Sequence, residues 1–155
     1  MANYDRLRRG ALLWHQDATT AIEYLATRED MDVDRLGFLG ISWGAYYLGP
    51  MLLAVEGRLK AGVLIGVGIS LSNVHPMGDA VNYAPRIHAP VLMINGRFDS
   101  VFPHELSQTR LFDLIGSVAG DKKHVVFDAG HFRYPRNSLA KEVADWFDKY
   151  LGPVK

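Results

Sequence analysis

Four short apolar runs recur along the chain: "RLGFLGI" (35–41), "KAGVLIGVG" (60–68), "APVLMING" (89–96) and "KKHVVFDAG" (122–130). Runs this dense and this short fit strands buried on both faces, the environment of a parallel sheet. The third opens after a proline, where the missing N–H costs no ladder bond. Between the runs the apolar spacing changes to three and four. Leu7, Ala11, Trp14, Ala18, Ala21, Ile22 and Leu25 predict a helix over residues 5–26 with one buried stripe. Tyr47, Leu48, Met51, Leu52 and Val55 predict a second helix, with Gly57 placed to stop it. Leu106, Leu111, Leu114 and Ile115 predict a third, and Leu139, Val143, Trp146, Phe147 and Tyr150 line a last one. Residues 69–85 read as loop, with Asn73, Pro76, Gly78, Asp79 and Asn82 and little periodicity. Alternating strand and helix predict an α/β fold of three layers: a parallel sheet of about four strands, helices on both faces and right-handed crossovers.

At 155 residues the chain suits a single domain over 1–155 and is long enough to bury a real core. Its 17 Lys and Arg balance 17 Asp and Glu, so no global field draws it to nucleic acid or an anionic membrane, and a small ligand is expected. The absence of cysteine excludes a disulfide scaffold, thiolate metal ligation and a cysteine nucleophile. The polar start "MANYDRLRRG" has no leader pattern, and "AGVLIGVGISL" is about half the length a bilayer crossing needs. A soluble, cytoplasmic protein is expected.

Chemistry enters at Gly40-Ile41-Ser42-Trp43-Gly44, between the first predicted strand and the second predicted helix. A serine hydroxyl is a poor nucleophile until a base takes its proton, so Gly-x-Ser-x-Gly carries meaning only where a sharp strand-turn-helix elbow exposes it. That is its context here, with Gly40 and Gly44 expected to leave room for the turn. The helix start behind Ser42 directs free N–H groups to the reaction centre, and the Trp43 N–H is one candidate donor to an oxyanion. Against this stands a plainer reading, in which Ser42 is only the N-cap of a helix.

Two later residues weigh against the plainer reading. Asp99 in "INGRFDSVFP" falls just past the third predicted strand, and His131 in "FDAGHFR" just past the fourth. All three side chains then sit on loops at the carboxyl edge of the sheet, where open α/β folds assemble sites. The expected division of labour is that His131 moves the Ser42 proton while Asp99 fixes the imidazole tautomer. Asp128 reads as a turn residue, and His75 as a solvated loop histidine that could touch substrate. His15, His88, His104 and His124 have no carboxylate at a convincing ligand spacing, so neither metal nor cofactor is expected. Trp43, Tyr46, Phe102 and Phe132 are candidates to wall a substrate pocket, and Tyr47 reads as core.

The runs "GFLGISWGA", "VLMINGRFDSVFP" and "HVVFDAGHFRYPR" resemble the C-terminal half of an α/β-hydrolase of the dienelactone hydrolase and prolyl oligopeptidase-like kind. The resemblance covers nearly the whole chain. It implies esterase-type acyl transfer with Ser42, Asp99 and His131 at the matching positions, on small short-acyl esters. Family members place further strands, and a loop with a second oxyanion donor, ahead of the elbow; here one predicted helix precedes it. The strand "LGFLG", internal in the family, is therefore expected at an edge, where unpaired backbone invites a partner chain, and a homodimer or higher homo-oligomer is expected. Two other functions stay open: a weak or inactive remnant serving as a binding or assembly module, and a peptidase.

Overall fold

The computed structural model describes residues 2–153, with side chains from Arg9 onward, so Leu7 of the predicted stripe lies outside the described side chains. Strands β1 (Leu36–Ile41), β2 (Leu59–Ile65), β3 (Val91–Gly96) and β4 (Lys122–Phe127) form one four-stranded sheet in the order β1-β2-β3-β4. All three pairings are parallel: Ile41 lies opposite Ile65, Ile65 opposite Ile94 and Gly96 opposite Phe127. Every strand therefore ends at one rim, and the residues following β1, β3 and β4 meet there.

Alternation along the strands sorts side chains to two faces. Leu64, Val91 and Met93 pack with Ile22 of α1 (Ala2–Ala26), Leu52 of α2 (Gly49–Val55) and Leu111 of α3 (Thr109–Leu114). Ala61, Val63, Ile65, Leu92 and Ile94 pack with Trp146 of α4 (Arg136–Leu151), flanked by Leu139, Val143, Phe147 and Tyr150. Each fully buried Leu, Ile or Met contributes about 1.5–3 kcal/mol. The α/β/α layering matches the sequence expectation, but among the described residues the coverage is unequal: three helices cover one face and α4 alone the other. On that thinner side β1 is an edge strand, and Leu39 and Ile41 remain 45% and 51% exposed.

The helical segments depart from the predicted phase for an identifiable reason. The second begins as a wide π-helical turn, Gly44–Leu48, in which the Gly49 N–H donates to the Gly44 carbonyl. Pro50, next in line, has no N–H to restore the ordinary ladder at once. The third opens in the same way: His104–Gln108 is a π-turn closed by the Thr109 N–H on the His104 carbonyl. A wide turn rotates the face that follows. Val55, Leu106 and Leu114, expected in the core, are exposed, while the polar Ser107 and Gln108 are buried. In α1, Ala11 and Ile22 are buried as the stripe predicts, but Ala21 is exposed. The expected loop at 69–85 carries three short 3₁₀ turns, Pro76–Gly78, Ala80–Asn82 and Ala84–Arg86.

Candidate active site

The elbow is built by backbone constraint. Ser42 takes φ +50°, a left-handed conformation that an L-residue adopts only when its surroundings impose it, and its N–H donates 2.8 Å to the Ile65 carbonyl at the end of β2. Gly40 is required, because a Cβ there would stand 2.7 Å from the Ala45 nitrogen. Gly44 is not. Nothing lies within 4 Å of the position a Cβ would take, so the expectation that both glycines make room holds only for Gly40.

Asp99 lies in the loop after β3. Its Oδ1 accepts the N–H groups of Val101 (2.8 Å) and Phe102 (3.0 Å), and its Oδ2 accepts from His131 Nδ1 at 2.8 Å. The carboxylate has 0% side-chain exposure, and these three donors offset the desolvation of its charge. His131 follows β4, and its Nε2 lies 2.7 Å from Ser42 Oγ. The tautomer follows from the partners. An ionised carboxylate can only accept, so Nδ1 carries the proton and Nε2 presents its lone pair to the Ser42 hydroxyl. Behind the imidazole, Gly66 at φ +63° brings its backbone so close that a Cβ there would meet His131 Cε1 at 3.3 Å.

A cleft of about 580 Å³ opens over Ser42 and His131 and is lined by all four expected pocket residues, Trp43, Tyr46, Phe102 and Phe132. Trp43 and Phe132 are exposed walls, whereas Tyr46 and Phe102 form a buried floor with ring centroids 5.5 Å apart. Burial pushes the Tyr46 phenol up to about 12; the nearby Ser70 offsets part of that rise, although no hydrogen bond joins the two hydroxyls. Ser70, Leu71, Ser72 and Val101 also line the cleft and were not singled out from the sequence. Their loops have no periodicity, and only pairing with β2 and β3 brings them to the rim. Tyr47, expected in the core, also reaches the cleft, and its ring contacts Trp43 and Trp14 at centroid distances of 4.7 and 5.6 Å.

The rival residues lie elsewhere. Asp128 pairs with Arg97 at 2.9 Å on the surface, in keeping with a turn role. His75, expected to be solvated, instead accepts the Met77 N–H at 3.1 Å as a helix cap and is absent from the cleft lining. Burial, and second the neighbouring His104, push His124 down to about 4. Among the described residues no three His, Asp or Glu side chains converge as metal ligands would.

No protein-family model and no curated protein sequence matches the chain. Solved structures do. A zinc-bound cold-adapted esterase from an Arctic intertidal metagenomic library superposes with a TM-score of 0.73 at 23% identity, covering 87% of this chain and 56% of that one. An esterase of Pyrococcus furiosus gives 0.73 at 20% identity over 88% and 62%. The acylaminoacyl peptidase of Pyrococcus horikoshii gives 0.69 at 19% identity over 86% and 27%. The chain thus spans less than two thirds of the length of each of these proteins. A strained serine elbow after β1, an acid loop after β3 and a histidine loop after β4 sit on the same architecture as these hydrolases, and the chain has the α/β-hydrolase fold.

Proposed function

We propose that the chain is a serine carboxylesterase cleaving small, short-acyl esters through an acyl-enzyme on Ser42. The observation that carries this reading is the unbroken contact path from Ser42 Oγ to His131 Nε2 at 2.7 Å and from His131 Nδ1 to Asp99 Oδ2 at 2.8 Å. A hydroxyl, a base and an orienting carboxylate in that geometry are what nucleophilic acyl transfer needs. His131 takes the Ser42 proton as Oγ bonds to the ester carbonyl carbon. The negative charge that gathers on the carbonyl oxygen is met by the Trp43 N–H at the helix start. Collapse breaks the bond to the alkoxy oxygen, which leaves with the proton from His131. Water then enters, gives its proton to His131 and attacks the acyl carbon; Ser42 leaves with that proton. The cleft between Trp43, Tyr46, Phe102 and Phe132 suits a compact apolar acyl group.

The test is hydrolysis of p-nitrophenyl acetate and butyrate, with fluorophosphonate labelling, by the wild type and Ser42→Ala. Labelling of the wild type at Ser42 and its loss in the variant support the reading. Hydrolysis that survives Ser42→Ala undiminished would falsify it. Peptide hydrolysis ranks below ester hydrolysis, since the likeness to an acylaminoacyl peptidase extends over only 27% of that protein.

The edge strand supports a second part of the proposal, self-association through β1. Leu39 and Ile41 open onto an apolar groove shared with Leu139, Ala140 and Val143 of α4, and a parallel-sheet edge of this kind is normally covered. Sedimentation should show a dimer at micromolar concentration that Leu39→Lys dissociates; a wild type that sediments as a monomer would remove this part.

A further inference from the structure

Gln108 is completely buried, yet it is polar and sits beside the apolar Leu111 stripe of α3. An unpaired buried amide is strongly destabilising, so its partners decide what it is for. Its Nε2 donates to two backbone carbonyls, Gly96 at 2.8 Å and Phe102 at 2.7 Å. Gly96 ends β3 and Phe102 closes the turn that carries Asp99, so the two carbonyls bracket that turn. With both amide hydrogens committed, Oε1 is an acceptor, and His104 Nδ1 at 3.0 Å is its donor. Two carbonyls six positions apart thus close on one side chain, and the enclosed turn is tightened from within by Asp99 Oδ1 on the Val101 and Phe102 N–H groups.

From this geometry we infer that Gln108 is a positioning residue: its carboxamide clamps both ends of the loop 96–102 and so holds the Asp99 carboxylate against His131. Main-chain bonds already tie the start of this loop, Arg97 N–H to the Phe127 carbonyl and Phe98 N–H to the Ala129 carbonyl. The Gln108 amide ties its far end at Phe102 back to that start, and a displacement of about 1 Å at an orienting group can cost about a hundredfold in rate. The residue acts through Asp99 and touches no reacting atom. Its activity arm rests on the serine hydrolase reading; its structural arm does not.

The experiment compares wild type, Gln108→Met, Asp99→Asn and the double variant. Methionine keeps the length and volume and removes both donors. Two readouts are taken: the low-field proton resonance of His131 Nδ1, and the rate of fluorophosphonate labelling of Ser42. The clamp predicts a folded Gln108→Met protein whose Nδ1 proton broadens and exchanges faster. It also predicts labelling slowed by about 10- to 100-fold, with little further loss when the change is made in the Asp99→Asn background, because both act on one contact. A resonance and rate unchanged from wild type overturn it, as does a loss repeated in full in the Asp99→Asn background, which would mark a general packing role. If Gln108→Met does not fold, Gln108→Glu, which keeps the shape and donates one proton when neutral, is read by the same outcomes. If the wild type is not labelled at all, the hydrolase reading falls, and the resonance alone then decides the clamp.

Discussion

Gly96, the last residue of β3, packs its backbone directly against the Gly130 carbonyl, one residue before His131, with no space for a Cβ between them. The neighbouring Ala129 carbonyl closes the same space and accepts the Phe98 N–H at 2.9 Å. The acid loop and the histidine loop are therefore fastened to each other by main chain before their side chains meet. Gly96→Ala must push them apart. We expect a stability loss of about 1–3 kcal/mol, as for other overpacked sites, together with slower Ser42 labelling. Gly44→Ala is the contrasting case: with open space at the Cβ and helical surroundings it should be neutral or stabilising by about 0.5–1 kcal/mol. Urea denaturation of both variants checks the pair, and equal destabilisation would contradict this account.

Asp99 offers a second prediction, because its two oxygens face only donors. Asp99→Asn replaces one acceptor with an NH₂ group that must point either at the Val101 and Phe102 N–H groups or at His131 Nδ1. The first orientation sets donor against donor in a buried place and costs about 1–3 kcal/mol of stability, and the second does so unless the imidazole changes tautomer. The second orientation also favours the wrong imidazole tautomer, for which losses near 10⁴ in turnover are the scale for such sites. Esterase assays and thermal melts on the same samples read both effects. Full activity in Asp99→Asn would show that His131 needs no carboxylate partner.

Much of this site was legible in the sequence because it is carried by strand ends. The runs ending at Ile41, Gly96 and Phe127 are short, apolar and flanked by turn residues, and parallel pairing brings whatever follows them to one rim. Ser42, Asp99 and His131 follow those ends. Gln108 was not legible, since a 3.6-residue period cannot anticipate a π-turn that widens the helix at His104–Gln108 and exchanges Leu106 for Ser107 and Gln108 at the buried face. Trp43, Tyr46, Phe102 and Phe132 line the cleft as aromatic neighbours of the elbow and of the acid and histidine loops, whereas Phe98, adjacent to Asp99 in sequence, is exposed outside it. Ser70 and Ser72 reach the same cleft through a loop with no pattern to read.

His124 links stability to pH. Its Nε2 lies 3.1 Å from Asn95 Oδ1, the buried Asn95 uses its Nδ2 on the Val67 carbonyl, and burial pushes the imidazole down to about 4. Between that value and the ordinary histidine range near 6.5, the unfolded chain binds a proton that the folded chain refuses. Stability contributed by neutral His124 is therefore full above pH 6.5 and falls as the pH drops toward 4. The slope is at most about 1.4 kcal/mol per pH unit, lessened by the part of the ring that solvent reaches. His104 adds to the depression and Asp113 opposes it. Urea midpoints measured from pH 7.5 to 4.5 should fall more steeply in the wild type than in His124→Phe. Parallel curves would mean that another group governs the acid limb.

Tyr134 is half-buried close behind the triad, and its buried hydroxyl makes no hydrogen bond with any described residue. A Cβ on Gly66 would lie 3.3 Å from that oxygen and 3.3 Å from His131 Cε1, so the phenol and the imidazole back onto the same glycine. Burial, and second the charge of Asp99, push the phenol up to about 12, so it stays neutral at every pH at which the protein would be assayed. An unsatisfied buried hydroxyl is a cost without a return. Tyr134→Phe keeps the ring against Phe127 and removes that cost, so we expect stability unchanged or raised by about 1 kcal/mol. Ser42 labelling should stay within about twofold of wild type, because the ring that supports the histidine loop remains. A stability loss above about 1 kcal/mol in thermal melts would show that the hydroxyl holds a partner, and slower labelling with unchanged stability would give it a part in the chemistry.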